Sequence, residues 1–594
     1  MTAAAVAGPA DRGRAPATDD SGFGLLRQLA REERAGLLAG TVAGLVWMAA
    51  RVAVPKLTQL AIDRGIAPDD VGATLAWAGA ILVAGVVAAV FTGVRHWFAN
   101  MVAKRTERTV RQRLFAHFQR LHVGFHDGAP VGDLMGRANS DLTEIERLAN
   151  LTPSSIAAVV SLLAITVILF VTNAALAALS LSSILLLSVT TARFASLLRP
   201  ASREVQRQLA ALGEVVEDTV SGMRVVKGLG AEETQRQKLH DVTDAIYEQS
   251  IALARIRAAY LPAYELLPLV GIAIVLVVGG GRVLDGTMTV GEVVGFSGYL
   301  LMLVYPMQRA GLMIPQVQRT LAASNRIAEV LSVEPEIVQP ANVPEREAGP
   351  GAVRFENVWF GYPIVAGRPA LLDFGLEIEP GSSVALVGPT GCGKSTVARL
   401  LLRFYDVQRG RIVLDGVDLR DLSAAELRRQ VAVVFEDTFL FEDTVAANIA
   451  LGNPRATRDV VERAARMASA DGFVSALPDG YDTLLGERGY SLSGGQRQRL
   501  AIARAIVADP RVLILDDAMS AIDSSKEHEI REALVELMKG RVTIVIAHRP
   551  ATLALVDRVV MLEGGRIVAE GAHDELLTTN ERYSRFLTGR PARG

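Results

Sequence analysis

Residues 383–404 read SVALVGPTGCGKSTVARLLLRF. The opening SVALV suits a short buried strand, and the closing VARLLLRF has the apolar spacing of a helix. Between them stand Gly388, Pro389, Thr390, Gly391, Cys392, Gly393, Lys394, Ser395 and Thr396. Strand, glycine-rich loop, Lys-Ser and helix, in that order, is the context a phosphate-binding loop requires. Its glycines let backbone N–H groups curl around phosphate oxygens, and the helix N-terminus adds partial positive charge. In this reading all nine residues contact a nucleoside triphosphate: Lys394 bridges the β- and γ-phosphates, and Ser395 ligates Mg²⁺. Cys392 is the one cysteine, so its alkylation should block nucleotide entry. A lone cysteine also excludes an intramolecular disulfide framework and a thiolate zinc cluster.

Working downstream, Arg511-Val-Leu-Ile-Leu515 reads as a second buried strand, ending in Asp516-Asp517. A carboxylate at the end of such a strand supplies the second protein-side anchor for Mg²⁺, the role given to Asp516. The next position, Asp517, is where the attacking water is oriented or deprotonated. From about residue 352 onward, short Val/Leu/Ile strands with glycine turns alternate with amphipathic helices, an α/β pattern.

Upstream the composition changes. Half of the 594 residues are apolar while 21% are charged, which fits a chain divided between a lipid-embedded part and a polar part. Six apolar stretches reach spanning length, near 36–57, 72–95, 152–172, 174–195, 261–281 and 290–311. The segments after spans two and four are basic, with Lys104, Arg105, Arg108 and Arg111 in one and Arg199, Arg203, Arg207 and Arg224 in the other. The remaining connections are short and poor in Arg and Lys, as at Val171-Thr172-Asn173, so both termini face the cytosol. The two basic segments keep helical periodicity, so spans two to five should continue as long cytosolic helices, with turns near 123–128 and 226–230. Residues 1–22 read as a polar tail without a signal peptide, and 333–351, rich in Pro and Glu, as a linker. The domains expected are thus the tail, a transmembrane domain over 23–332, the linker, and a nucleotide-binding domain over 352–590. The fold class is multi-domain: an all-α six-helix transmembrane domain followed by an α/β P-loop NTPase domain. A formal net charge of −2 argues against a nucleic-acid partner. The basic residues are overwhelmingly Arg, and with the Ala-rich background this points to a high-GC bacterial genome.

A P-loop and an Asp-bearing strand specify only an NTPase. Leu492-Ser493-Gly494-Gly495-Gln496, followed by Arg497, narrows it, because here the chain resembles the ATP-binding cassette (ABC) transporters, and specifically exporter-type half-transporters. The resemblance covers residues from about 25 to 590. It implies that Tyr362 stacks on adenine, that Asp523 belongs to the D-loop, and that His548 contacts the γ-phosphate. It implies ATP and Mg²⁺ as cofactors and a bacterial inner (plasma) membrane location. It also implies a second half-transporter as partner, because each ATP lies between one chain's P-loop and the other chain's Leu492–Gln496 equivalent.

Two positions depart from the family pattern. Asp517 stands where a Glu is expected, and one methylene fewer draws the carboxylate back by roughly 1.5 Å. Glu436 stands where a Gln is expected; it still offers Mg²⁺ an oxygen, with added negative charge. Both serve the site of this chain's own P-loop, while the signature serving the other site is intact. That pattern resembles the degenerate half of a heterodimer, although a slowly hydrolysing homodimer has the same inventory. Arg51 in span one and Glu265 in span five are the candidates for the transport cavity, since charges inside spans are costly. The cargo expected is an amphipathic, lipid-like or drug-like small molecule, exported under ATP hydrolysis. Import by the same fold, or a regulatory ATP-binding role with hydrolysis in the partner, are the alternatives.

Overall fold

The computed structural model describes residues 20–338, 349–363, 367–518, 531–532, 534–547 and 550–588. Most of the expected tail, most of the expected linker, the D-loop residue Asp523 and His548 lie outside the described residues. The described chain divides into two compact units. One holds 20–119 and 132–332, the other 120–131 and 333–588.

The first unit is entirely helical. Its long helices are α1 (Arg34–Ala61), α2 (Val71–Arg120), α3 (Leu142–Thr172), α4 (Ala174–Ser221), α5 (Glu232–Ile274) and α6 (Val290–Leu331). Among the described residues, five helical stretches are long and apolar enough to cross a membrane: Arg34–Ile66, Val71–Arg120, Val131–Thr172, Ala174–Ser221 and Glu232–Leu284. The sixth expected span lies on α6, whose described apolar stretch is the shorter Val290–Val304. The 50 residues of α2 extend roughly 75 Å at 1.5 Å per residue, against roughly 30 Å of hydrocarbon, so much of the helix must lie outside the bilayer. Leu82, Val83 and Val90 on α2, and Val159, Leu163 and Val167 on α3, are exposed apolar side chains of the kind a lipid-facing surface carries.

Local chemistry sets the breaks. A single extended residue, Asn173, separates α3 from α4, and its side chain accepts a hydrogen bond from Leu176 N, capping α4. Thr289 and Glu292 form a capping box at the start of α6. Asp63 adds to it, accepting from Thr289 Oγ1 at 2.8 Å and Gly291 N at 3.0 Å. A short helix, Met223–Leu229, follows α4 and stops at Gly230, whose φ of 62° is left-handed. Inside the unit, Ile165, Leu169, Leu176, Phe296, Leu300 and Leu303 form one buried cluster. Leu29, Leu114, Leu142, Ile145 and Ile327 form another.

The second unit is α/β. An antiparallel sheet has the order β2-β1-β4-β5, with β1 Val353–Phe360, β2 Leu371–Ile378, β4 Arg409–Leu414 and β5 Val417–Asp418. The larger sheet runs β10-β9-β3-β8-β7-β6. Its strands are β3 Ser383–Val387, β6 Val431–Val434, β7 Val512–Asp516, β8 Val542–Ile546, β9 Arg558–Glu563 and β10 Arg566–Gly571. All its pairings are parallel except β9–β10. Alternation explains its burial: Val384 and Leu386 of β3 enter one hydrophobic cluster, Ala385 and Val387 the other. The same division holds for Val512 and Ile514 against Leu513 and Leu515 of β7. A parallel sheet covered on both faces therefore reads as an unbroken apolar run.

One polar contact pins the start of β3. Asp557 accepts from Ser383 N at 2.8 Å and from Ser383 Oγ at 2.7 Å, and the Asp557 N–H donates back to that hydroxyl at 2.9 Å. Asp557→Ala strands the donors of a buried Ser383, which costs about 1–3 kcal/mol. Thermal unfolding of the purified chain should show a lowered first transition, while Asp557→Asn, which keeps an acceptor, should recover part of it.

Candidate ATP site

The strand order brings the expected site residues together. β3, β7 and β6 run parallel in one sheet, so the segments leaving their carboxyl ends emerge at one edge. Those segments carry the glycine-rich loop, Asp516-Asp517 and Glu436.

The loop residues Gly388, Gly391 and Gly393 have φ of 143°, 79° and 109°. A Cβ on Gly388 would meet Leu562 O at 2.1 Å, and one on Gly393 would meet Ala370 O at 2.6 Å, so the backbone path excludes side chains there. Gly393 is the N-cap of α7 (Lys394–Leu401). Gly393→Ala adds roughly 1–3 kcal/mol of backbone strain to the phosphate cradle. Titration with a fluorescent ATP analogue should then show affinity lowered about 10-fold.

Lys394 is buried, and its ammonium donates to Gly388 O at 2.8 Å and Pro389 O at 3.0 Å, closing the loop on itself. Thr396 accepts from the Tyr362 hydroxyl at 3.1 Å. The Tyr362 ring packs edge-on against Phe360 and Tyr405, at 5.0 and 5.3 Å between centroids, and the Arg399 guanidinium lies 5.8 Å from its centre.

The Ser395 hydroxyl faces the Asp516 carboxylate and favours its ionised form. Burial holds that carboxyl above the usual carboxylate range; Glu436 and Asp517 push it the same way, while Ser395 and Arg399 oppose them. An excess of oxygen donors and negative charge at Ser395, Asp516 and Glu436 suits a hard cation such as Mg²⁺. No group of three or more His, Cys, Asp or Glu able to hold a metal occurs among the described residues. That is compatible with Mg²⁺, which is held by one or two carboxylates together with the phosphates it serves. Asp517 has φ of 45°, a left-handed value that Asp enters more readily than most residues. Its N–H donates to Ile546 O at 2.9 Å, which ties the end of β7 to the end of β8.

Ser493 is the N-cap of α8 (Gly494–Ala508). Ser493 N donates to Gln496 Oε1 at 2.8 Å and Gln496 N donates to Ser493 Oγ at 3.3 Å, a capping box. Leu492 is buried in the core and holds the turn, while Ser493 is exposed. The motif therefore presents a helix N-terminus, an anion-binding end, at the surface of the unit.

Two family models match the chain, the ABC transporter transmembrane region over residues 37–307 and the ABC transporter model over 371–520. The chain belongs to the ABC transporters. Among its relatives, the ATP-dependent lipid A-core flippase of Thiobacillus denitrificans is 36% identical, the match covering 93% of this chain and 95% of that one. A multidrug efflux ATP-binding/permease protein of Mycobacterium bovis is 35% identical over 94% of this chain, which spans 46% of that protein's length. The solved structure of a bacterial Atm1-family ABC exporter with ATP bound aligns with a TM-score of 0.76 at 28% identity, covering 95% of this chain and 99% of the other. This transporter is accordingly an exporter-type protein of the bacterial inner membrane, with an ATPase domain on the cytosolic side whose hydrolysis is coupled to transport. ABC exporters act as dimers.

The transporter's helical unit contains a cavity of about 980 Å³. Arg51 lines it; Glu265 is not among the lining residues, so the structure does not bring the two candidate cavity charges together. Three lining arginines, Arg95, Arg199 and Arg319, were not recognised from sequence as cavity residues. Their signal was weak because Arg95 ends an expected span and Arg199 counts among cytosolic positive charges. Beside Tyr362, Tyr405 donates to Asp127 Oδ2 at 2.5 Å across 278 positions of sequence. Asp127 lies on the short helix Val123–Gly128, in the same compact unit as the ATPase residues. Burial pushes the Tyr405 phenol up, and the adjoining Asp127 adds to it. Arg399, 4.0 Å from Asp127, links this contact to the Tyr362 ring. Nothing in the local sequence marks that linkage.

Proposed function

We propose that this chain is the degenerate-site half of a heterodimeric exporter that moves an amphipathic, lipid-like or drug-like molecule under ATP hydrolysis. The carrying observation is the contrast between its two nucleotide-facing elements. The own-site element pairs Asp516 with the shorter Asp517 and the acidic Glu436, whereas the Leu492–Gln496 element is complete and capped. The likeness to a lipid A-core flippase and a multidrug efflux protein supports an amphipathic cargo and outward movement. The relative of which this chain spans under half supports a unit that works as one of two.

In this proposal the glycine-rich loop and Lys394 bind the triphosphate, and Tyr362 positions the adenine. Ser395, Asp516 and Glu436 hold Mg²⁺, which supplies charge neutralisation for the phosphates. His548 and Asp523 lie outside the described residues, and their roles toward the γ-phosphate and in the D-loop rest on the family resemblance alone. Asp517 holds its water too far from the γ-phosphate for fast attack, and Gly494 and Gly495 lend their N–H groups to the partner's ATP.

The test co-purifies the chain with the half-transporter encoded beside it and traps nucleotide with vanadate. Trapping on the partner's P-loop at least 10-fold above that on this chain is expected. Equal trapping on both, or vigorous ATPase activity of this chain alone, overturns the proposal. Uptake by inverted rather than right-side-out vesicles checks direction.

A further inference from the structure

The cavity in the helical unit carries a charge pattern that ATP binding does not use. Its wall takes Arg51 from α1, Arg95 from α2, Arg199 from α4 and Arg319 from α6, and among the described residues no Asp or Glu lines it. Trp47 organises two of these cations: the guanidinium carbons of Arg51 and Arg95 lie 5.3 and 5.1 Å from its ring centre. Arg319 donates to Gln316 at 2.7 Å and lies 3.7 Å from Glu144, which is outside the lining. Among the described residues Arg51 and Arg199 form no ion pair. Arg51 lies within span one, where low-dielectric surroundings make a cation without an ion pair costly, and the neighbouring Arg95 and Arg199 add to the positive potential there. The net charge of the chain is −2, so the concentration of positive charge is local. The rest of the wall is mixed: Asn150, Ser154, Ser155 and Ser161 of α3 line it together with the apolar Val159, Leu162 and Ile165 of α3 and Leu301 and Met302 of α6.

We infer that the cavity takes an amphiphile with an anionic, phosphate-bearing head group. The head lies against Arg51, Arg95 and Arg199, and the tail lies along the α3 and α6 wall. The inference rests on the proposal above that this half moves an amphipathic cargo, and it names the head-group charge. Guanidinium groups suit phosphate through paired N–H donors, and Trp47 holds two of them ready. A cationic amphiphile would instead add a further positive charge beside Arg51, Arg95 and Arg199.

The test places the assembled transporter in nanodiscs of zwitterionic lipid and measures binding of three fluorescent probes. These are phosphatidylglycerol, phosphatidylcholine with the same chains, and the cationic dye rhodamine 6G. Phosphatidylglycerol should bind about 10-fold or more tightly than either competitor. Arg51→Gln with Arg199→Gln should remove that preference while phosphatidylcholine affinity is retained, and Arg51→Lys with Arg199→Lys should restore part of it. Equal binding of the three probes, tighter binding of the dye, or an unchanged preference in the Gln pair overturns the inference. If the Gln pair loses every probe through misfolding, the Lys pair decides: a retained anionic preference supports the inference and its loss overturns it. Displacement by tail-less glycerol phosphate at the concentration that the lipid needs overturns the amphiphile part. ATP-driven movement of the dye without anionic preference leaves the export proposal standing and this inference fallen. Anionic binding without ATP-driven movement does the reverse.

Discussion

Asp517→Glu should raise ATP turnover at this chain's own site by on the order of 100-fold, because it restores the reach that the shorter side chain lacks. The carboxylate of Asp517 begins at the end of β7, beside Asp516, on a backbone fixed by its bond to Ile546 O. Lengthening the side chain by one methylene moves the carboxylate forward by roughly 1.5 Å without moving the strand. Positioning errors of about 1 Å cost on the order of 100-fold in rate, so the correction should recover a factor of that size. The left-handed φ of 45° suits Asp better than Glu, so some of the gain will be offset by stability. The measurement is steady-state hydrolysis by the assembled pair after the partner's catalytic carboxylate has been neutralised, leaving this site alone to report. A rate unchanged by Asp517→Glu would show that reach is not what limits the site. Adding Glu436→Gln should raise the rate further by removing a negative charge that now presses on Asp516.

The second large effect concerns the other site. Gly494 is the first residue of α8, directly after the Ser493 cap, and neither Gly494 nor Gly495 has a positive φ. An Asp therefore fits the backbone at 494, and a carboxylate in a first helical turn stabilises the helix by about 0.3–1 kcal/mol. Gly494→Asp should leave the melting temperature unchanged or slightly raised. A carboxylate there nonetheless faces the triphosphate that this helix end is proposed to receive. Two unit charges 4 Å apart repel by about 4 kcal/mol at an effective dielectric of 20, or on the order of 10³-fold. ATP turnover and transport by the pair should fall by at least 100-fold with the fold intact. A pair that keeps more than a tenth of its activity would mean that this helix end does not meet the working nucleotide. The two substitutions act in opposite directions on different sites of one transporter, so a general loss of stability cannot produce both results.

The sequence alone determined whatever is carried by short, contiguous chemistry. Residues 388–396 and 492–496 are legible because a glycine-rich anion cradle and a helix N-terminus are built by neighbours on the chain. The spans were legible because spanning about 30 Å needs about 20 apolar residues in a row, and the α/β pattern because a two-sided buried strand is an apolar run. Only the tertiary structure decided that Glu436, Asp516 and Ser395 converge, because the order β6-β7-β8-β3 is a matter of which strands pair. It likewise decided that Tyr405 meets Asp127, and that Arg51, Arg95, Arg199 and Arg319 share one cavity while Glu265 does not line it. Periodicity along one helix says which residues share its face, but not which face of another helix it will meet. A cavity whose charge comes from four helices is therefore set by packing and leaves no local mark on the sequence.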